Sequence, residues 1–166
     1  MNSKKPEIIV DTNVAVIANH KYEEFDRSCI LECRETISKV QNGGFLLLLD
    51  DENLILDEYR RNLNPSGEPG LGDYFFLWLW KNQANLEHCR KIAVRRHRVR
   101  GFEEFPTDPD LETFDWDDRK FVAVALASRS TPELLNASDT DWWHHRATLR
   151  KHGVQVVFVC PDLMDD

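Results

Sequence analysis

Short apolar runs alternate with helix-like patterns along this chain, and that alternation is the first guide to its fold. The run at residues 8–10 is β-branched and the run at 45–50 is rich in leucine, so both are typical of strands buried on both faces of a sheet. Apolar residues at near-helical spacing predict a helix over residues 26–41, which ends at the NGG sequence of 42–44. Strands that alternate with helices favour a parallel sheet with right-handed crossovers.

The later elements follow the same order after a break rich in proline and glycine at residues 64–72. We expect residues 65–105 to be an insertion of one or two helices, aromatic in its first part and basic in its second. The whole chain, residues 1–166, is predicted to be one α/β domain with the order β-α-β-α-insertion-α-β-α-β. The predicted strands lie at residues 7–13, 45–50, 133–139 and 154–160, and the predicted helices at 26–41, 51–63, 115–130 and 142–152.

Composition is that of a soluble globular protein. The 166 residues suit a single domain, and 42% of them are hydrophobic while 30% are charged. No segment has the pattern of a signal peptide or the length of a transmembrane helix, so we expect a cytoplasmic protein without a membrane partner. The four cysteines contain no CxxC pair and suggest neither a disulfide framework nor a zinc site. Cys29 and Cys33 are predicted to be small core residues.

Acidic side chains stand at the ends of several predicted strands and helices. Asp11 follows the first strand, Glu58 lies in the helix after the second strand, and Asp118 opens the helix after the insertion. Asp139 ends the next strand, and Asp141 follows closely. Each acid taken alone is also explained as a helix cap or as a partner of a helix dipole. Together, at the carboxyl edge of a parallel sheet, they predict a site for Mg²⁺ or Mn²⁺, because a hard cation relieves the repulsion between carboxylates.

The motifs that contain these acids resemble those of the PIN domain, the fold of many metal-dependent toxin–antitoxin ribonucleases. The ordered motifs are "IIVDTNV", "ILDEYRRNL", "DWDDRKFVAVALA" and "SDTDW", and the similarity continues into "VVFVCPDLM". The resemblance covers both ends of the chain but not residues 65–105. It implies a PIN-like three-layer α/β/α sandwich around a central parallel sheet.

The resemblance also implies which residues form the site. Asp11, Glu58, Asp118 and, in most members of the family, Asp139 bind one or two Mg²⁺ or Mn²⁺ ions, directly or through water, and act in catalysis. Asp141 stands in the place of a second, more variable acid. These roles are expectations for this chain.

The sequence departs from the family pattern at two places. The more polar sequence Asn136-Ala137-Ser138 replaces the usual β-branched residues of the strand before Asp139. Asp57 and Asp117 directly precede Glu58 and Asp118, so the matching acid is uncertain by one residue at both positions.

The activity implied by the resemblance is that of a Mg²⁺- or Mn²⁺-dependent endoribonuclease. Single-stranded RNA is the expected substrate, DNA stays open as an alternative, and a metal-activated water is the expected nucleophile. The alternative function is that of a PIN-fold binding or assembly module without nuclease activity. An antitoxin, another protein or a second copy of the chain is an expected partner, and a toxin, RNA-processing or defence role stays open.

A basic run at residues 88–101 contrasts with the formal net charge of −8. The arginines that we expect to contact substrate phosphates are Arg95, Arg96, Arg98 and Arg100. A solvent-facing helix or a partner-docking surface that pairs with the acidic run at 103–118 explains the same pattern equally well. Thr12 and Asn13 are expected to be substrate-binding or cap residues that hydrogen-bond either Asp11 or a phosphate.

Overall fold

The computed structural model describes residues 4–165, which form a parallel β-sheet with helices packed against it. The strands are β1 (Glu7–Val10), β2 (Leu46–Asp50), β3 (Cys89–Ile92), β4 (Arg96–His97), β5 (Gly101–Phe102), β6 (Glu133–Asn136) and β7 (Gln155–Phe158). The helices are α1 (Thr12–Ala18), α2 (Arg27–Gln41), α3 (Leu54–Asn62), α4 (Leu71–Asn82), α5 (Arg119–Ser128) and α6 (Thr140–Lys151). Short 3₁₀ turns lie at Pro109–Leu111, Trp116–Asp118 and Pro161–Leu163. Within residues 4–165, no helix combines the length and apolar character needed to cross a membrane.

The central sheet has β1 in its middle, in the order β3-β2-β1-β6-β7, and all neighbouring strands are parallel. Every residue of β1 is buried, as its β-branched sequence predicts. The predicted α/β class and parallel sheet are therefore confirmed. Because the strands are parallel, their carboxyl ends share one edge of the sheet, and Asp11 and Asp139 follow two neighbouring strands at that edge.

The helices pack in two groups. α1, α2 and α4 pack on one another, whereas α5 packs on β2, β3 and β6. This arrangement is compatible with a three-layer α/β/α sandwich. Gly72 lets α4 approach α1 closely, since a Cβ at this position would lie 2.0 Å from the backbone oxygen of Ala15.

Asp50 ends β2 with a fully buried carboxylate that fixes the start of α3. Its oxygens accept hydrogen bonds from the backbone N–H groups of Glu52, Leu54 and Ile55 at 2.9 to 3.0 Å. These bonds satisfy donors that the first turn of a helix leaves free. They also set the orientation in which α3 presents Glu58.

The segment predicted as a helical insertion is helical only in its first part. α4 forms as expected, but the basic run at 88–101 contains β3, on the edge of the central sheet, and most of a small antiparallel ribbon of β4 and β5. Of the one or two predicted helices only α4 forms within residues 4–165, so the prediction that the basic part is helical is wrong, and the central sheet has a strand, β3, that the sequence did not predict. The run has no alternating apolar pattern, so its strand depends on parallel pairing with β2, which places Cys89 opposite Leu47.

The cysteines also depart from the expectation. Cys29 in α2 forms a disulfide with Cys160, which follows β7, over a sequence separation of 131 residues. Cys33 and Cys89 are free and buried, and Cys33 Sγ lies 4.0 Å from Cys160 Sγ. Burial of Cys29 and Cys33 is confirmed, but the expectation of no disulfide is wrong. Sequence spacing alone does not reveal which distant cysteines meet in the fold.

Candidate functional site

Asp11 stands at the carboxyl end of β1 and is the N-cap of α1. Its carboxylate accepts hydrogen bonds from the backbone N–H of Asn13 at 3.0 Å and from the side-chain amide of Asn136 at 3.3 Å. Only 5% of the residue is exposed, so these bonds replace part of the hydration that the carboxylate loses on burial. Asp11 is therefore a helix cap whose carboxylate is also held in one orientation at the sheet edge.

Glu58 reaches the same edge from α3. The hydroxyl of Thr12 donates a hydrogen bond to Glu58 Oε2, and Lys120 Nζ lies 2.7 Å from Glu58 Oε1. The side chains of Lys120 and Glu58 are 9% and 14% exposed, so this ion pair is largely removed from water. The lysine charge offsets one of the negative charges that meet here.

The structure distinguishes the two acids at each ambiguous position. Asp57 is the more exposed neighbour of Glu58, and its carboxylate pairs with Arg60 at 3.2 Å. Asp117 is exposed, whereas Asp118 is partly buried at the start of α5. Glu58 and Asp118 are thus the members that face the site.

Asp118 and Asp139 come from the second half of the chain. Asp118 accepts a hydrogen bond at 3.2 Å from the indole nitrogen of Trp142, a residue that is fully buried. Asp139 is the N-cap of α6 and accepts a hydrogen bond from the backbone N–H of Asp141 at 2.8 Å. The cap role expected for an isolated acid is therefore real at Asp139.

Asn136 joins Asp11 to Asp139. Its amide nitrogen donates to the carboxylate of Asp11, and its amide oxygen accepts from the backbone N–H of Asp139 at 2.9 Å. The side chain is fully buried, so both bonds replace hydration. The polar strand residue that departs from the family pattern thus links two acids of the site.

Two of the four acids, Asp11 and Asp118, have a raised pKa. Burial is the largest cause that raises the pKa of Asp118 to about 8, and the negative charges of Asp11 and of other acids add to it. Burial also raises the pKa of Asp11 to about 7, with further contributions from Glu58 and Asp139, although the hydrogen bond from Asn13 opposes the rise. The site therefore disfavours the fully ionised state unless a cation is present.

The carboxylate oxygens of the four acids are suitable ligands for a hard divalent cation, but the distances between them limit how many can contact one ion directly. Within residues 4–165, potential metal-ligand atoms of His, Cys, Asp and Glu come close together in one place. Three such atoms lie within 4.8 Å of one another at Cys29, Cys33 and Cys160, whereas no three carboxylates are that close together. Two ligands of one Mg²⁺ lie at most about 4.2 Å apart, so one ion contacts no more than two of these carboxylates directly in this geometry. Because Mg²⁺ keeps several of its waters, the donor set fits a hydrated ion held partly through water.

Asp141, the fifth predicted metal ligand, is engaged elsewhere. Its carboxylate accepts a hydrogen bond from the backbone N–H of Asp115 at 2.9 Å, and its other oxygen lies 3.3 Å from His145 Nδ1. These contacts hold the segment that precedes Asp118. These contacts give Asp141 a positioning role, and metal binding by Asp141 stays a prediction.

The side chains of Thr12 and Asn13 form hydrogen bonds within the protein. The Thr12 hydroxyl is bonded to Glu58, and the Asn13 side-chain oxygen accepts from the backbone N–H of Ala137 at 3.1 Å. The backbone N–H of Asn13 bonds Asp11, which agrees with one of the two expected roles. The other expected role, a contact to phosphate, stays a prediction.

The arginines of the basic run have different surroundings. Arg96 lines a cavity of about 180 Å³ together with Lys120, beside the acids. Arg95 pairs at 3.8 Å with a glutamate of the acidic run that follows, as the alternative explanation predicts. Arg100 donates to backbone carbonyl groups of the next loop, and Arg98 is exposed. Phosphate binding by these residues stays a prediction, and the cavity favours Arg96.

Sequence reasoning missed Lys120 and Asn136. A signal existed for Lys120, since it is a charged residue inside the otherwise apolar start of α5, where an unpaired lysine would be costly. The corresponding signal for Asn136 is a polar side chain at the end of a buried strand. Both signals become specific only when the partners are known.

Comparison with known proteins adds no relatives. No protein-family model matches this chain, and no curated protein or solved structure is significantly similar to it. The resemblance to the PIN domain therefore stays a hypothesis based on the motifs. The parallel sheet and the four acids are properties of this chain itself.

Proposed function

We propose that this protein is a metal-dependent endonuclease with a PIN-like fold that hydrolyses phosphodiester bonds in single-stranded RNA. The main support is the meeting of four acids from separate elements, Asp11, Glu58, Asp118 and Asp139, in an environment that raises the pKa of two of them. Holding repelling carboxylates together lowers stability, and a bound divalent cation offsets that cost.

The proposed chemistry needs few protein groups besides the acids. A bound Mg²⁺ or Mn²⁺ supplies an activated water and neutralises charge on the phosphodiester. Asn136 keeps Asp11 and Asp139 in register, because its amide bonds to both residues. The indole of Trp142 orients Asp118 in the same way.

Hydrolysis in this scheme requires no side-chain nucleophile. The water oxygen forms a bond to phosphorus and gives up one proton to solvent, the ester P–O bond breaks, and the leaving oxygen takes up one proton from solvent. Lys120 holds a positive charge beside Glu58, which favours approach of the phosphate. The hydroxyl of Thr12 fixes the second oxygen of Glu58.

Two observations favour the alternative of a binding or assembly module. Lys120 already compensates the charge of Glu58, and no three carboxylates of the described residues are close enough to share one ion directly. A module of this kind would bind RNA or a protein without cutting RNA. Cleavage assays separate the two functions.

The test is cleavage of end-labelled single-stranded RNA, and of the matching DNA, by wild type, Asp118→Asn and the control Glu35→Gln, which changes an exposed acid of α2 that pairs with Lys39. Each protein is assayed with Mn²⁺, with Mg²⁺ and with excess EDTA. We expect metal-dependent cuts by wild type and Glu35→Gln and none by Asp118→Asn. Absence of cuts by folded wild type on both substrates would contradict the proposal and favour the binding module, whereas cuts in DNA alone would overturn the choice of RNA.

A further inference from the structure

Trp116 presents a large aromatic surface to solvent only two residues before Asp118. The residue is 50% exposed. Its ring lies over Gly101, where an added Cβ would be 3.5 Å from the indole carbon Cζ2. The guanidinium of Arg119 lies 5.2 Å from the ring centre. The indole is therefore held by its contacts with the protein while half of its surface stays open.

The open ring borders the cavity of about 180 Å³ that we call the Trp116 cleft. The cleft is lined by Leu54, Asp57, Arg61, Arg96, Phe102, Trp116, Asp117 and Lys120. It therefore contains three cationic and two acidic side chains. The guanidinium of Arg96 lies 5.2 Å from the Phe102 ring and 3.1 Å from the carboxylate of Glu52, so its position is defined on two sides.

Lys120 links the Trp116 cleft to the carboxylate site. This lysine lines the cleft and also contacts Glu58 at 2.7 Å. Its Nζ donates to the backbone oxygen of Asp117 as well, which joins the 3₁₀ turn to α3. A nucleic-acid backbone with one phosphate at the acids can therefore place neighbouring phosphates near the cationic side chains of the cleft.

We propose that the Trp116 cleft binds one nucleotide of single-stranded nucleic acid, with the base stacked on Trp116 and the flanking phosphates contacting Arg61 and Arg96. This inference rests on the proposed function, because it supplies the substrate subsite next to the carboxylates. An exposed aromatic ring flanked by cations is the arrangement that binds unpaired bases without sequence preference. A base inside a duplex has no free face to stack on the ring, so the cleft favours single strands.

The chain offers matched controls for the ring and for the charges. Trp80 on α4 is 48% exposed and packs against Phe76, in the group of helices that includes α1 and α2. It equals Trp116 in size and exposure but does not line the cleft. Arg150 is an exposed arginine near the end of α6 opposite to Asp139 and serves as the charge control.

The experiment measures binding of a labelled single strand of about eight nucleotides by fluorescence anisotropy in EDTA, where no metal-dependent cutting occurs. RNA, DNA and duplex RNA are compared for wild type, Trp116→Ala, Trp116→Phe and Trp80→Ala. We expect Trp116→Ala to weaken single-strand binding by about 5- to 150-fold, with partial rescue by Trp116→Phe and no change in Trp80→Ala. Equal affinity for RNA and DNA would show that the cleft contacts bases and phosphates. Binding of RNA but not DNA would show an additional contact to the 2′-hydroxyl.

The charges are tested by the salt dependence of the same binding reaction. We expect Arg61→Gln and Arg96→Gln each to reduce the slope of log affinity against log salt by about 0.7, while Arg150→Gln leaves it unchanged. Equal affinity of Trp116→Ala and Trp80→Ala for every strand would overturn the inference and leave Trp116 as a contact for a protein.

Binding and cleavage give separable outcomes. Binding that depends on Trp116 without cleavage by wild type would contradict the nuclease function while supporting the cleft. Cleavage without any dependence of binding on Trp116 would support the nuclease and overturn the cleft. Thermal melting of each variant verifies that the exposed substitutions leave the protein folded.

Discussion

Lys120 Nζ lies 2.7 Å from Glu58 Oε1, and the two side chains reach this contact from separate helices while almost excluded from water. In the absence of metal, this contact is the nearest positive compensation for the acids. A cation that enters the site therefore meets a partly neutralised set of ligands. Substitution of Lys120 therefore tests how its charge affects both the stability of the metal-free protein and the affinity for a divalent cation.

We expect Lys120→Gln to lower the stability of the metal-free protein by about 1–3 kcal/mol, because Glu58 loses its charged partner in a mostly buried place. The same change should tighten Mn²⁺ binding, since it removes a positive charge beside the site. Chemical denaturation in EDTA and calorimetric titration with Mn²⁺ measure the two effects. Lys151→Gln, at an exposed lysine of α6, is the control, and weaker Mn²⁺ binding by Lys120→Gln would contradict the prediction.

Asp118 should make the metal-free protein less stable at alkaline pH. Its pKa is raised from 3.8 to about 8, so the folded protein holds this proton more tightly than the unfolded chain does. The stabilising contribution is full below about pH 4 and is lost progressively as the pH rises from about 4 through about 8. We therefore expect Asp118→Asn in EDTA at about pH 8.5 to melt at a higher temperature than wild type, with little difference at about pH 4.

Mn²⁺ should reverse the order of the melting temperatures of wild type and Asp118→Asn at alkaline pH. Mn²⁺ should raise the melting temperature of wild type at alkaline pH, because a ligand that binds only the folded state stabilises it. Asp118→Asn should gain less from the same addition. Equal gains in both proteins would show that the bound ion does not contact Asp118.

Glu58 should be required for cleavage, whereas an exposed acid of α2 should not. We expect Glu58→Gln to lower the rate of RNA cleavage by at least about 100-fold, since even groups that only orient metal ligands contribute about 10- to 100-fold. Glu35→Gln should retain the rate, because Glu35 pairs with Lys39 on the exposed surface of α2. Initial rates with Mn²⁺ decide this, and equal loss in both variants would contradict the assignment.

Removal of the disulfide should lower stability only under oxidising conditions. We expect Cys160→Ser to cost about 2–4 kcal/mol relative to oxidised wild type. Cys160 is the residue to change, because Cys33 lies 4.0 Å from its sulfur and can pair with it when Cys29 is absent. Addition of a reductant should lower the stability of wild type and leave Cys160→Ser unchanged, and a wild type insensitive to the reductant would contradict the prediction.

The main elements of the fold could be predicted because their signals are local. The β-branched residues of β1, the leucines of β2 and the helical spacing in α2 each fit one structure, and the observed bounds agree within a few residues. The strand β3 could not be predicted, because its basic sequence becomes a strand only by pairing with β2. The pairing of Cys29 with Cys160 is likewise a property of the assembled fold.

The candidate site was predictable only in part. The positions of Asp11, Glu58, Asp118 and Asp139 follow from the ends of parallel strands and the starts of helices. Their partners do not, since the bond between Asn136 and Asp11 joins residues 125 positions apart. The same holds for Lys120 and Glu58, which meet only when α3 and α5 are packed.

In the central sheet, β1 pairs with β2, which precedes residues 64–68, and with β6, which follows them. The candidate site is therefore assembled from two parts of the chain. Asp11 and Glu58 precede the exposed residues 64–68, whereas Asp118 and Asp139 follow them. Repulsion between the acids thus opposes the union of these two parts, and a divalent cation favours it. If the chain were cut within 64–68, Mn²⁺ would promote complementation between the fragments, and the ion proposed for catalysis would also act as a cross-link.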